Sequence, residues 1–172
     1  MGKIKKVKIL NNILPKEVNN KIINELANHH WFIAWDNVMN RREKIFSKKN
    51  NGFSIITMLE GKEQMNSVLN VYGEIIFNLI IKKLKVKAVL DRIFWNMYLK
   101  ESETELHTDR PYSNYFSVVY NLHTTDGGTE INSKFYPDLG GQAKIFNSNI
   151  LHRGFGPKQD NVRFNLNLIF KV

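Results

Sequence analysis

Apolar positions recur at helical spacing in two stretches of the chain. In the first, Val18, Ile22, Ile23 and Leu26 follow Pro15, a residue suited to a first helical turn. This helix is expected to end near His29 and His30, where a cationic imidazole suits the negative end of the helix dipole. In the second, residues 62–85, Met65, Val68, Leu69, Tyr72, Ile75, Ile76, Leu79 and Ile80 form one wide apolar face, which Gly73 weakens slightly. Both stripes are expected to pack on a sheet. Residues 4–10 alternate as a short strand, and residues 31–59 hold aromatic, strand-like pieces around the basic loop RREKIFSKKNNG. After Lys87 the texture changes to short β-type runs at 88–100, 113–122, 128–136, 142–147 and 162–171. The breaks between them are KESETE, HTDRPYS, TTDGG, PDLGG and RGFGPKQDN, and the pairs Gly127-Gly128 and Gly140-Gly141 read as turns. Helices first and strands afterwards predict an α+β fold, with helices covering one face of an antiparallel β structure. No repeat or linker interrupts the pattern, so residues 1–172 are expected to form a single domain.

Composition narrows the chemistry. The chain has 172 residues, 42% of them hydrophobic, which is enough to bury a core and too apolar for a disordered segment. It has no cysteine, which excludes a disulfide scaffold, a zinc finger, an iron–sulfur site and a thiol nucleophile. Any metal must therefore be held by histidine and carboxylate. The opening MGKIKKVKIL lacks the apolar run of a signal peptide, and Asn78 interrupts the oily stretch near Ile75–Ile81. The expectation is a soluble cytoplasmic protein that does not engage a membrane.

The net charge of +9 lies entirely in residues 1–90, with 16 basic against 7 acidic side chains; residues 91–172 balance at 9 and 9. A basic half can attract a polyanion. Only 6 of the 25 cations are arginine, however, so most lack the bidentate fork that base readout favours. Nucleic acid is an admissible partner but not the favoured one.

Three features of the strand-rich half converge. In His107-Thr108-Asp109 an extended backbone projects the imidazole and the carboxylate to the same side, where both can grip one ion. His152 follows the apolar run from Ala143 to Leu151, and Arg163 opens the alternating strand RFNLNLIF eleven positions later. Taken singly, each has a plain reading: Asp109 caps a turn, His152 is a core histidine, Arg163 makes a salt bridge. Together they suggest a different chemistry. Two histidines and one carboxylate on one face of an iron leave open positions. A 2-oxoacid can chelate two of these and O2 can take the last. A guanidinium fork then matches the far carboxylate of the oxoacid. His123, beside the Asp126-Gly127-Gly128 turn, is a rival ligand that reads better as a surface or supporting residue. Arg110 and Arg153 adjoin the ligands and read as solvated charges near the pocket mouth; Trp31 and Trp35 read as cover over the sheet. Neither a G-x-S-x-G elbow nor a P-loop occurs.

The set His107-x-Asp109, His152 and Arg163 resembles that of the Fe(II)- and 2-oxoglutarate-dependent dioxygenases, over about half the chain from Asn96 to Phe170. Asn96-Met97-Tyr98 and RFNLNL are similar to the N-x-Y and R-x-N-L segments of the AlkB-type demethylases. That likeness places Asn96, Tyr98 and Asn165 in the 2-oxoglutarate site beside Arg163. The AlkB-type pattern has a second arginine six residues after the first, where this chain has Ile169. The short interval from His152 to Arg163, and the segment VVYNLHTTDGGTEI, resemble prolyl-4-hydroxylase-like members instead. On that likeness Tyr120 offers its hydroxyl to the far carboxylate. Small phage-type hydroxylases combine these features, which leaves a virus-encoded protein acting in a host cell among the expectations.

The resemblance implies a double-stranded β-helix, or jelly-roll, of about eight strands. His107, Asp109 and His152 would bind Fe(II), and 2-oxoglutarate and O2 would be consumed. Oxoglutarate would be oxidatively decarboxylated to succinate and CO2 while an unactivated C–H bond of a peptidyl or small-molecule substrate is hydroxylated. Two alternatives stand beside it: an AlkB-like enzyme acting on nucleic acid, and a jelly-roll module that binds metal without turnover. Neither substrate identity nor oligomeric state is legible in the residues.

Overall fold

The computed structural model describes residues 7–33, 52–65 and 67–172, with Phe32 and Ile33 as backbone only. In chain order the elements are β1 (Lys8–Leu10), α1 (Lys16–Ala27), β2 (Phe32–Ile33), β3 (Gly52–Leu59), β4 (Lys62–Glu63) and α2 (Val68–Leu84). They continue with β5 (Val89–Leu99), β6 (Tyr115–Asn121), β7 (Thr125–Ile131), β8 (Lys134–Asp138), β9 (Ala143–Asn147), β10 (His152–Phe155) and β11 (Val162–Lys171).

Alternation along β11 separates two environments. Phe164, Leu166, Leu168 and Phe170 face one way and join the main core with Ile55, Ile93, Trp95, Val118 and Ile145. Ile22 and Leu26 of α1, and Leu69, Ile76 and Ile80 of α2, close that core from the helical side. Fully burying each such side chain is worth about 1.5–3 kcal/mol. Arg163, Asn165 and Asn167 hold the other parity of β11, yet they are buried as well. Buried polar groups on an inner sheet face must find partners, and theirs form the site described below.

The large sheet runs β1-β9-β6-β11-β5-β3-β2, with β4 on β3, and a small sheet runs β10-β7-β8. All pairings are antiparallel. An isolated bridge between His107 and His152, with another between Glu103 and Phe155, lays residues 103–107 alongside β10 as a further row of the small sheet. The architecture is α+β, as expected: a jelly-roll that carries, among the described residues, two helices on the outer face of its large sheet.

Several local expectations are corrected. The second helix starts at Val68, not near residue 62, because the Ser67 hydroxyl caps it by accepting from Leu69 N at 3.2 Å. Lys62 and Glu63 instead pair with β3 across a Glu60–Gly61 turn in which both residues have positive φ. The run at 128–136 is two strands, since Asn132 and Ser133 adopt φ of 50° and 60° and fold it into a tight hairpin. Gly127-Gly128 lies within β7 rather than in a turn. Gly73 is required by packing: a Cβ there would come within 2.7 Å of Ile93 Cγ2, where α2 lies on β5. The alternation at residues 4–10 is described only from Val7, and forms a strand at Lys8–Leu10. Trp35 and residues 41–51 of the basic loop lie outside the described residues. Trp31 does cover the sheet, stacking on Phe164 at 5.7 Å between ring centroids. Among the described residues no helix is long and apolar enough to cross a membrane.

Candidate metal centre

The backbone places the two histidines face to face. His107 N donates to His152 O at 3.0 Å and His152 N to His107 O at 2.9 Å, so this bridge sets both rings on one side of the small sheet, 4.4 Å apart. Asp109 N donates to Ser148 O at 2.9 Å, which brings the carboxylate to the same place. Each histidine has its Nδ1 against a backbone carbonyl, Glu105 O at 2.8 Å for His107 and Ile150 O at 2.9 Å for His152. A neutral ring donating from Nδ1 keeps its Nε2 lone pair for a metal.

His107, Asp109 and His152 each offer one ligand atom, all within 4.8 Å of one another. His152 Nε2 and Asp109 Oδ2 are 3.4 Å apart. Donors at right angles on an ion with bonds of ~2.1 Å stand roughly 3 Å apart, close to the His152–Asp109 separation, so this group could hold one metal ion.

The carboxylate is oriented from behind. Arg92 of β5 ion-pairs with Asp109 Oδ1 and also donates to Asn167 Oδ1 at 2.7 Å. Ser117 Oγ donates to Asp109 Oδ2 at 2.5 Å and lies 2.9 Å from Ser148 Oγ. Burial alone would raise the Asp109 pKa, but Arg92 and His152 outweigh it and hold the carboxyl well below the usual range. Burial lowers the His107 pKa, helped by His152, so its ring is kept neutral.

The pocket is lined by Asn96, Tyr98, His107, Val119, Thr129, His152, Gly154, Arg163, Asn165 and Asn167, and spans about 300 Å³ including its open mouth. Arg163 is 1% exposed and lies over the Tyr98 ring at 4.6 Å. Its Nε and Nη2 engage Asp138, and Nη2 donates to Thr129 Oγ1 at 3.0 Å. With the Asn165 amide oxygen turned toward it, Nη1 has an acceptor at 3.1 Å. In that orientation the Asn165 amide nitrogen faces Asn96 at 3.1 Å, and Asn96 Oδ1 accepts from Ser54 Oγ at 2.6 Å. Gly154 leaves room for Tyr98, whose hydroxyl would stand 2.5 Å from a Cβ at that position.

The structure thus brings His107, His152, Arg163, Asn96, Tyr98 and Asn165 to one pocket, with Asp109 converging on the two histidines. Tyr120 does not join them. It sits on the opposite face of β6 from the pocket residue Val119, inside the main core, and donates to Asn19 Oδ1 at 2.7 Å. A carboxylate role for Tyr120 is corrected on that ground. His123 is not a ligand either: its Nε2 accepts from Phe164 N at 3.1 Å and supports β11. Arg110 pairs with Asp91 at 2.7 Å, and Arg153 pairs with Glu130 at 3.1 Å and lies over Phe155.

Arg92, Ser117, Asp138 and Lys144 support the site without belonging to any local motif. Only Lys144 left a signal, a charged residue at the second position of the apolar strand AKIFN.

No protein-family model and no curated protein sequence matches the chain. Solved structures do match its fold. One is a 2OG-Fe(II) oxygenase family oxidoreductase from Burkholderia pseudomallei, 15% identical over 98% of this chain and 86% of that one, with a TM-score of 0.69. A second is the viral collagen prolyl hydroxylase of Paramecium Bursaria Chlorella virus-1, in a 2OG complex, 12% identical over 98% and 97%, with a TM-score of 0.62. A third is HygX from Streptomyces hygroscopicus, with nickel and 2-oxoglutarate bound, 8% identical over 96% and 82%, with a TM-score of 0.67. At these identities the likeness establishes the fold, which is the jelly-roll of such oxygenases.

Proposed function

We propose that a chain with this fold and this pocket is an Fe(II)- and 2-oxoglutarate-dependent oxygenase that hydroxylates a peptidyl or small-molecule substrate and releases succinate and CO2. The observation that supports it is a pair of histidines in one pocket with a fully buried arginine, and an aspartate whose ligand atom converges on those of the two histidines.

His107 and His152 would hold the metal through Nε2, and Asp109 through Oδ2, while Arg92 keeps Oδ1 occupied. When bound, iron supplies the activation of O2 at the expense of the oxoacid. The protein's own part is placement. On β11 the inward residues Arg163 and Asn167 are four apart, about 13 Å along the strand. Asn167 belongs to the metal end through Arg92, and Arg163 marks the other end. A five-carbon diacid chelating the metal would lie between these two ends, with the side chains covering the rest of the interval. Its far carboxylate meets Arg163, with the Tyr98 hydroxyl and the Asn165 amide as neutral partners. Charge-assisted hydrogen bonds of this kind contribute about 1.5–3 kcal/mol each. Val119, Ile131 and Phe146 form a small apolar cluster on the pocket side, which limits water there.

The test is turnover of 2-oxoglutarate in air, with and without added Fe(II). Iron-dependent succinate release, even slow and without a substrate, is the expected result. No succinate, together with no 2-oxoglutarate binding to metal-loaded protein, would overturn the reading.

A further inference from the structure

Behind Arg163 lies a charge cluster that does not itself line the pocket. Arg163 and Asp138 are 1% exposed and Lys144 is 0% exposed. Asp138 Oδ1 accepts from Lys144 Nζ at 2.9 Å and from Arg163 Nη2 at 3.2 Å; its Oδ2 accepts from Arg163 Nε and from Thr125 Oγ1, the latter at 3.2 Å. Two cations thus share one carboxylate, leaving a buried excess of one positive charge. Uncompensated buried charge is costly. The other buried carboxylate among the described residues, Asp109, is already paired with Arg92 and faces the histidines.

Without Lys144, Asp138 and Arg163 would form a neutral side-on pair. A carboxylate arriving at a neutral pair gives up its hydration for little Coulombic return. With Lys144 offsetting Asp138, the guanidinium stays rigidly oriented by Asp138 while presenting a full positive charge to the pocket. Lys144 reaches this place because it alternates with Phe146 on the inward face of β9, and Phe146 packs edge-on against His152 at 4.8 Å.

We propose that Asp138 and Lys144 are positioning residues for the cosubstrate: Asp138 orients Arg163 and Lys144 cancels the charge of Asp138, so that the pocket selects a 2-oxo diacid over a 2-oxo monoacid. This rests on the oxoglutarate reading above and adds the source of its selectivity.

The test is calorimetric titration, without O2, of Mn(II)-loaded protein with 2-oxoglutarate and with 2-oxopentanoate, which has the same chain length but no far carboxylate. A parent protein that binds both equally would sink the oxoglutarate reading itself. Given a parent that prefers the diacid, Lys144→Met weakens 2-oxoglutarate about ten-fold or more, leaving 2-oxopentanoate and Mn(II) affinity unchanged. The double variant D138N/K144M restores the net charge, keeps an amide oxygen that can accept from Arg163 in place of the carboxylate, and returns to within about three-fold of the parent. A merely structural role predicts the reverse, with the double variant weaker than Lys144→Met. Parent-like 2-oxoglutarate affinity in Lys144→Met, or a double variant weaker than it, overturns the proposal. If Lys144→Met fails to fold, the double variant alone decides: near-parent affinity supports the proposal, and a loss beyond about ten-fold overturns it.

Discussion

Arg92 on β5 stands opposite Ile169 on β11 in the sheet register, and its guanidinium closes on Asp109. The AlkB-type pattern puts its second arginine at the position of Ile169. Here a guanidinium enters from the neighbouring strand, where no motif along β11 can show it. Its partners, Asp109 and Asn167, tie the candidate metal ligand to the large sheet.

Arg92→Met should therefore destabilise the metal-free protein by about 3 kcal/mol, because it strands a buried carboxylate. A bound metal supplies the charge that Asp109 then lacks. Thermal melts with and without Mn(II) should show a larger metal-induced rise in the variant than in the parent. Equal rises would contradict the pairing.

The two tyrosines should behave oppositely. Tyr120→Phe removes the bond to Asn19 and should cost about 1 kcal/mol of stability, with 2-oxoglutarate affinity unchanged. Tyr98→Phe should weaken 2-oxoglutarate several-fold and leave Mn(II) binding intact. Denaturant melts and calorimetry read the two effects separately.

The contrast shows how far residues alone could reach. His107-x-Asp109 is local: two-residue spacing in an extended segment puts both groups on one side wherever the segment lies. The RFNLNLIF alternation likewise separates Arg163 and Asn165 from the core. Around Tyr120 both faces of β6 are buried, so no alternation reveals which residues face the pocket. Arg92–Asp109 and Asp138–Lys144–Arg163 depend on strand register and on which strands become neighbours, information spread over the whole chain. β10 escaped notice because four residues, one of them Gly154, carry no period. The 128–136 hairpin escaped because Asn-Ser is a weaker turn signal than Asn-Gly.

Acid should loosen the molecule through His123. Burial lowers its pKa, and its Nε2 is an acceptor for Phe164 N. The unfolded chain, whose histidine titrates at ~6.5, then binds the proton first. The His123 contribution to stability is complete above that pH and declines as pH falls through it toward the folded-state value. His123→Gln should flatten this part of a stability-against-pH curve measured by urea melts. An unchanged slope would contradict the neutral, accepting ring.

Gly73→Ala should destabilise, although alanine is the better helix former. The added methyl meets Ile93 at 2.7 Å and forces α2 away from β5. A loss of about 1–3 kcal/mol in denaturant melts is expected; a gain would show that the helix moves freely on the sheet.

On this reading His107, Asp109 and His152 hold one ion between them. Equilibrium titration of Mn(II), followed by its electron paramagnetic resonance signal in the parent and in His152→Ala, tests it most directly. One ion per chain in the parent, with affinity reduced about a hundred-fold or more in a still-folded His152→Ala, is the predicted result. Binding by His152→Ala at parent affinity and stoichiometry would contradict it.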